Sequence, residues 1–342
     1  MLYKSFSGMK LRNIGYRIIL LSLIIIFSIF ISEIFLRFYN YRISPICPKF
    51  FNLDFYPYYK ISSIDGLIYE IEPGVNMQDD AMYDCAMQTN SYGFREKDYS
   101  PEKDAGVLRI VGIGDSMCYG ACVEFNSRFL KLLEKKLNKD NNLKYKRVET
   151  INCGVSGYNL TQDFLNLKYK ALKYNPDIIV CSLWTDDLLA PYIPSFCGRS
   201  FLGRAQNFLI TYSVLWQFLY SRFYWHERYD SKYVDRHIEK NLASLEKIID
   251  LASRNNINII FILHSTLSPN YSWMKSDYSD IVNILNAKNM PWFEMHPRYM
   301  EYLGKRNISS IAIAPNNPHP NAEGNRVISD ALLEQLRLRK YL

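Results

Sequence analysis

The sequence predicts a doubly wound α/β domain, three layers deep, with helices on both faces of a parallel five-stranded sheet and a membrane-spanning helix ahead of it. Two observations carry this. Five short apolar, β-branched runs recur along the chain, Val107–Ile113, Arg147–Asn152, Asp177–Leu183, Ile257–Leu263 and Ile308–Ile313. Between them lie amphipathic stretches at helical period, among them Ser127–Leu137, Thr161–Tyr174 and His237–Arg254. Short buried strands alternating with helices give parallel sheets covered on both faces, here a flavodoxin-like α/β/α sandwich.

The first element precedes that pattern. From Ile18 to Leu36 only Ser22, Ser28, Ser32 and Glu33 are not apolar, and about 20 such residues in a helix cross a bilayer. Lys4, Lys10, Arg12 and Arg17 crowd its N-terminal flank, so the positive-inside rule leaves residues 1–17 in the cytoplasm and sends the bulk of the chain across, to the periplasm or cell surface. Glu33 and Arg37 are four residues apart and close enough on a helix to pair. A cleaved signal peptide is the rival reading, but no small-x-small cleavage site precedes Glu33. The expected organisation is a tail at 1–17, a transmembrane helix at 18–37, an entry segment at 38–100 and an α/β domain at 101–342. That domain carries an aromatic insertion at about 190–235.

The formal charge of +7 over 342 residues gives little reason to expect a nucleic-acid partner. Four of those charges lie in the N-terminal tail, and no later Lys/Arg block is interleaved with aromatic residues. Seven cysteines in an outward-facing domain permit disulfides but leave at least one unpaired. Cys153 and Cys181 sit in strand-like runs as small core residues, whereas Cys47, Cys85 and Cys197 lie in loop-like context where bridges are possible. No CxxC pair occurs, so no metal site is expected, and no motif calls for a cofactor.

In doubly wound sheets ligands gather beyond the carboxyl ends of the strands. The first strand ends in Gly114-Asp115-Ser116, which presents a serine hydroxyl at a strand-to-helix junction. The second leads into Cys153-Gly154-Val155-Ser156-Gly157-Tyr158-Asn159, whose glycine backbone can approach a developing oxyanion. After the third comes Trp184-Thr185-Asp186-Asp187. Near the C-terminus, Asn316-Asn317-Pro318-His319 places a histidine before the last helix.

Together these segments resemble, in the right order, the blocks of the SGNH/GDSL hydrolase family over about residues 107–335. Gly114-Asp115-Ser116 is similar to block I, Gly157 to block II, Trp184-Thr185-Asp186-Asp187 to block III, and Asn316-x-x-His319 to the terminal DxxH block. Asn90-Ser91-Tyr92-Gly93-Phe94-Arg95 and the Glu33-to-Arg37 helix end resemble a membrane-tethered bacterial branch. The resemblance implies a serine esterase or acyl-transfer enzyme acting on acyl or acetyl esters of envelope glycan or lipid. Its nucleophile would be Ser116, its base His319, with Asn316 orienting the histidine. Ser116, Gly157 and Asp186 would form the oxyanion site. Two positions depart from the family pattern: Asp186 stands where an asparagine donates to the oxyanion, and Asn316 where an aspartate fixes the histidine. No Asp or Glu occurs between Tyr302 and Pro318. Asp186 is left with two readings, a neutral donor or a substitute carboxylate for His319.

A second reading is a catalytically weakened module that binds a glycan or a protein partner in an envelope assembly. The insertion contains Phe208–Tyr224, apolar or aromatic at most positions. It is open to three readings: a helix over the pocket, a helix against the membrane, or core packing under a lid. His264 and His296 are read as pocket-edge or capping residues, Asp115 and Asp187 as loop-ordering residues, and Cys118 and Cys122 as helix packing.

Overall fold

The computed structural model describes residues 3–38, 58–80, 85–189, 209, 213–216, 219, 231–267, 278–314 and 317–342. The chain divides into two compact units, residues 1–53 with 198–226, and residues 54–197 with 227–342.

In the first unit, helix α1 (Tyr3–Phe38) runs for 36 residues, about 54 Å at 1.5 Å per residue. Its Gly15–Arg37 portion has a mean hydropathy of 2.8 and is long and apolar enough to cross a membrane. Arg37 pairs with Glu33 at 2.7 Å, one helical turn away. The Glu33 carboxylate also accepts from the Ser213 hydroxyl and from the Val214 and Leu215 backbone N–H groups, each at 2.9 Å. It thus caps the first turn of a short helical piece of the insertion, whose donors would otherwise lack partners. Most of the insertion lies outside the described residues, but this part of it is joined to the apolar helix.

The second unit opens with two small antiparallel ladders. Strands β1 (Tyr59–Ile61) and β2 (Tyr69–Ile71) form one, and β3 (Asn76–Asp80) and β4 (Cys85–Gln88) the other. The main sheet follows: β5 (Val107–Gly114), β6 (Arg147–Asn152), β7 (Ile178–Leu183), β8 (Asn258–Leu263) and β9 (Trp292–Glu294), all parallel in the order β6-β5-β7-β8-β9. This is the doubly wound order, with the chain reversing direction of travel between β5 and β7, where ligand crevices form.

All eight β5 residues are buried, as a central strand covered on both faces requires. Its one charged member, Arg109, lies opposite Glu149 on β6 and contacts that carboxylate through Nε at 3.0 Å and Nη2 at 2.7 Å. On one face Leu108, Ile110, Val148, Ile178, Val180, Ile260 and Ile262 pack against α3 (Phe129–Leu137) and α8 (Ala322–Leu338). The alternate residues Val111, Ile179, Cys181 and Phe261 face the other side. There α4 (Leu160–Tyr169) and α5 (Ser231–Arg254) pack together. Helix α6 (Ser279–Ala287) precedes β9, and α7 (Met295–Leu303) follows it.

The fifth strand is not where apolar periodicity puts it. Ile308–Ile311 forms a single 3₁₀ turn, because the Asn307 side chain accepts from Ser309 N–H and bends the backbone locally. The edge position is taken by the three residues Trp292–Glu294, a run too short to show a period.

Candidate active site

The turn that presents Ser116 is dictated by packing. Gly114 has φ +140°, and a Cβ there would lie 2.2 Å from the Ser182 carbonyl oxygen on neighbouring β7. Only glycine allows β5 to run against β7 and then break upward. Asp115 caps the short helix α2 (Ser116–Tyr119) by accepting from Met117 N–H at 2.9 Å, and its other carboxyl oxygen lies 3.3 Å from Ser116 Oγ. Burial raises the Asp115 carboxyl to about 7, against the lowering effect of the Met117 and Ser116 hydrogen bonds.

His319 is delivered by a paired segment just before α8. Ala312 and Pro320 form an isolated antiparallel bridge, Ile313 N–H donates to the His319 carbonyl at 3.0 Å, and Asn321 N–H donates to that of Ile311 at 2.8 Å. Asn321 then caps α8 through the Glu323 and Gly324 N–H groups. Gly324 lets the first turn close on this segment, since a Cβ would fall 2.7 Å from the Pro320 Cβ.

These two elements bring His319 Nε2 to 2.7 Å from Ser116 Oγ, across 203 residues of sequence. The other ring nitrogen, Nδ1, lies 2.7 Å from Asn317 Oδ1, which also accepts from the His319 backbone N–H at 2.9 Å. Both ring nitrogens are therefore engaged, and Asp186 is not the partner of either. Burial depresses the His319 pKa to about 4, which keeps the ring neutral across the neutral range. The Trp184 ring packs beside it, centroids 6.4 Å apart.

Asn317 is the residue that sequence reasoning missed. The DxxH spacing points to Asn316, which lies outside the described residues, whereas the observed partner is its neighbour. The signal available was the Asn316-Asn317 doublet, which spacing alone does not resolve.

Gly157 sits in the loop after β6 with φ +81°. Val155 N–H donates to the Gly114 carbonyl at 3.0 Å and Tyr69 Oη to the Ser156 carbonyl at 2.7 Å. The loop is thereby tied to the nucleophile turn and to β2. Asp186 occupies a 3₁₀ turn after β7 (Thr185–Leu188) and is half-buried. Its charge adds to the upward pressure on Asp115. Asp187 orders that turn by accepting from Trp184 N–H at 2.8 Å.

Asn90 to Arg95 acquires a structural role. The Asn90 side-chain oxygen accepts from Tyr92 and Phe94 N–H, each at 3.0 Å, and closes a tight turn. Arg95, 2% exposed, sends Nη1 to the Gly120 carbonyl at 2.8 Å and Nη2 to that of Val123 at 2.9 Å. It braces the loop that follows the nucleophile helix.

His264 lies apart from the pair formed by Ser116 and His319. It is buried, contacts Ser182 Oγ through Nε2 at 2.8 Å, and has a pKa lowered to about 3 by burial alone. His296 is in the first turn of α7. Cys118, Cys153 and Cys181 are buried and not disulfide-bonded, their thiols pushed up in pKa by burial. Cys47 and Cys197 lie outside the described residues. Among the described residues no cluster of His, Cys, Asp or Glu suits a metal ion.

The fold and site define a doubly wound α/β protein with a serine, a histidine and an asparagine in hydrogen-bonded series at the carboxyl edge of the sheet. No family model matches the chain, and no curated protein matches it. Several solved structures are similar. An alpha/beta hydrolase enzyme, LAE5, from the metagenome of Lake Arreo is 16% identical, with 69% of this chain and 97% of that one covered and a TM-score of 0.47. A catalytic mutant of the acetylxylan esterase Axe2 from Geobacillus stearothermophilus is 13% identical over 67% and 94%, with a TM-score of 0.45. A member of the lipolytic protein G-D-S-L family from Veillonella parvula is 18% identical over 66% and 97%, with a TM-score of 0.42. At these identities and scores the fold rests on the strand order above, and the chemistry on the side chains.

Proposed function

We propose that the chain is a serine ester hydrolase or acyl-transfer enzyme of the SGNH/GDSL kind, tethered to the membrane by α1 with its α/β domain outside the cytoplasm. The observation that carries the reading is the series Ser116 Oγ, His319 Nε2 and Nδ1, Asn317 Oδ1, with both links at 2.7 Å. A neutral imidazole in hydrogen-bond contact with a serine hydroxyl is the arrangement that activates a serine nucleophile.

Ser116 Oγ attacks the acyl carbonyl as its proton passes to His319 Nε2. The Ser116 and Gly157 N–H groups receive the charge on the carbonyl oxygen. Collapse of the tetrahedral species breaks the bond to the leaving oxygen, which takes the proton from Nε2. Water or an acceptor hydroxyl then repeats the sequence in reverse and frees the acid or the transferred ester. Asn317 orients the imidazolium but gives it no counter-charge. Acyl or acetyl esters of envelope glycan or lipid are the substrates that an outward-facing, tethered site meets.

One observation favours a second reading. The histidine's partner is an amide rather than a carboxylate, which fits a weakened site that binds a glycan or protein partner. Hydrolysis of p-nitrophenyl acetate by the detergent-solubilised chain separates the two. Turnover that Ser116→Ala abolishes supports the esterase, and turnover equal in both would reject it.

A further inference from the structure

An asparagine beside a catalytic histidine is double-edged. If its oxygen faces Nδ1, the ring keeps Nδ1–H and a free Nε2. If its nitrogen faces Nδ1, the ring is forced to carry Nε2–H and cannot take the serine proton. In a serine protease that inversion costs about 10⁴ in kcat. The structure shows what decides between them here.

The His319 backbone N–H can only donate, and it lies 2.9 Å from one side-chain terminus of Asn317, which must therefore be the oxygen. That same oxygen is the one 2.7 Å from Nδ1. The Asn317 nitrogen turns the other way, 3.8 Å from the sulfur of Cys122. Sulfur is a weak acceptor, and a nitrogen set against it adds to the preference for this orientation.

Cys122 is not there by default. It has φ +59°, a left-handed conformation that non-glycine residues seldom adopt and that persists only where the surroundings impose it. The Arg95 guanidinium imposes it by binding the Gly120 and Val123 carbonyls on either side.

We infer that Cys122 is a positioning residue: held left-handed by Arg95, its sulfur takes the Asn317 amide N–H and so joins the His319 backbone N–H in keeping the Asn317 oxygen on Nδ1, the arrangement in which His319 carries Nδ1–H and offers Nε2 to Ser116. This rests on the reading of Ser116 and His319 as nucleophile and base, but a ring tautomer is measurable without turnover. It also gives the Asn90–Arg95 turn a function, since Arg95 sets the backbone that carries the sulfur.

The test is the ¹⁵N spectrum of the full chain, labelled at histidine and held in detergent micelles at pH 7, with His319 assigned by its loss in His319→Gln. The parent is expected to show Nδ1 protonated and Nε2 bare, as is Cys122→Ser, whose hydroxyl also accepts from the amide. Cys122→Ala is expected to show a tautomer mixture and fluorophosphonate labelling slowed about 10-fold or more, within the roughly 10⁴ of full inversion. An Nε2–H signature in the parent would overturn the inference, and this holds even if Cys122→Ala does not fold. A Cys122→Ala protein with the parent's tautomer and rate would overturn it too. An Nδ1–H signature in a parent that does not label would support the inference while counting against the esterase reading.

Discussion

Asn317 Oδ1 lies 2.7 Å from His319 Nδ1, in the place where a carboxylate would supply a counter-charge. An amide can orient the imidazole as a carboxylate does, but it would not stabilise the imidazolium that the proposed mechanism forms when Ser116 gives up its proton. The hydrogen-bonded series is complete, but it carries no counter-charge for a histidine cation.

Asn317→Asp is expected to increase the reaction of Ser116 with fluorophosphonate at neutral pH, by about 10-fold or more. The pH dependence should move as well. In the parent the base form of His319 persists down to about pH 4, because burial disfavours the cation. A negative charge beside Nδ1 favours the cation, raises the ring's pKa and shifts the acid limb to higher pH. Rates for the two proteins from pH 3.5 to 8 would decide it. An unchanged limb would mean that the carboxylate does not sense the ring.

Asp186 offers acceptors only when ionised, and a developing oxyanion needs donors. Asp186→Asn adds an N–H donor with little change in shape. If Asp186 borders the oxyanion, esterase turnover should rise by about 10-fold or more, as a donor in such a site commonly contributes. A rate and pH profile matching the parent's would remove Asp186 from the site.

Asp115 links the site to stability. Its folded pKa of about 7 lies above the ordinary 3.8 because burial opposes its charge. A raised carboxyl favours folding fully below the unfolded value, and that contribution is lost as pH rises through about 7. The slope is about 1.4 kcal/mol per pH unit for one proton. In Asp115→Asn the side chain no longer titrates but keeps an oxygen for Met117 N–H. Urea midpoints at pH 4, 6 and 8 should therefore move in favour of the Asp115→Asn variant as pH rises. A difference independent of pH would show that Asp115 is ionised throughout.

The sheet was legible where burial writes itself into composition. Strands β5, β7 and β8 are apolar because both faces are covered, and each coincides within a residue with an apolar run, whereas the edge strand β6 carries Arg147, Glu149 and Asn152 among its β-branched residues. Trp292–Glu294 escaped because three edge residues carry no period, and Ile308–Ile311 misled because its isoleucine spacing also suits a turn packed on the core. The entry ladders escaped for the same reason of length. In the site, Ser116 stood out by its place after β5 and His319 by its place in the turn before the last helix. Asn317 did not, because two adjacent asparagines differ only in which one the turn points at the ring. Glu33 was legible as a partner for Arg37, but not as the cap of residues 213–215, since nothing local links positions 180 apart.

Activation of Ser116 by His319 is what the proposed chemistry depends on. Fluorophosphonate labelling of the full-length, detergent-solubilised chain, read by intact mass for the parent and Ser116→Ala, tests it without any assumption about the ester. One adduct on the parent and none on the variant is the expected result. A folded parent that takes no adduct, or a Ser116→Ala protein that takes the same one, would contradict it.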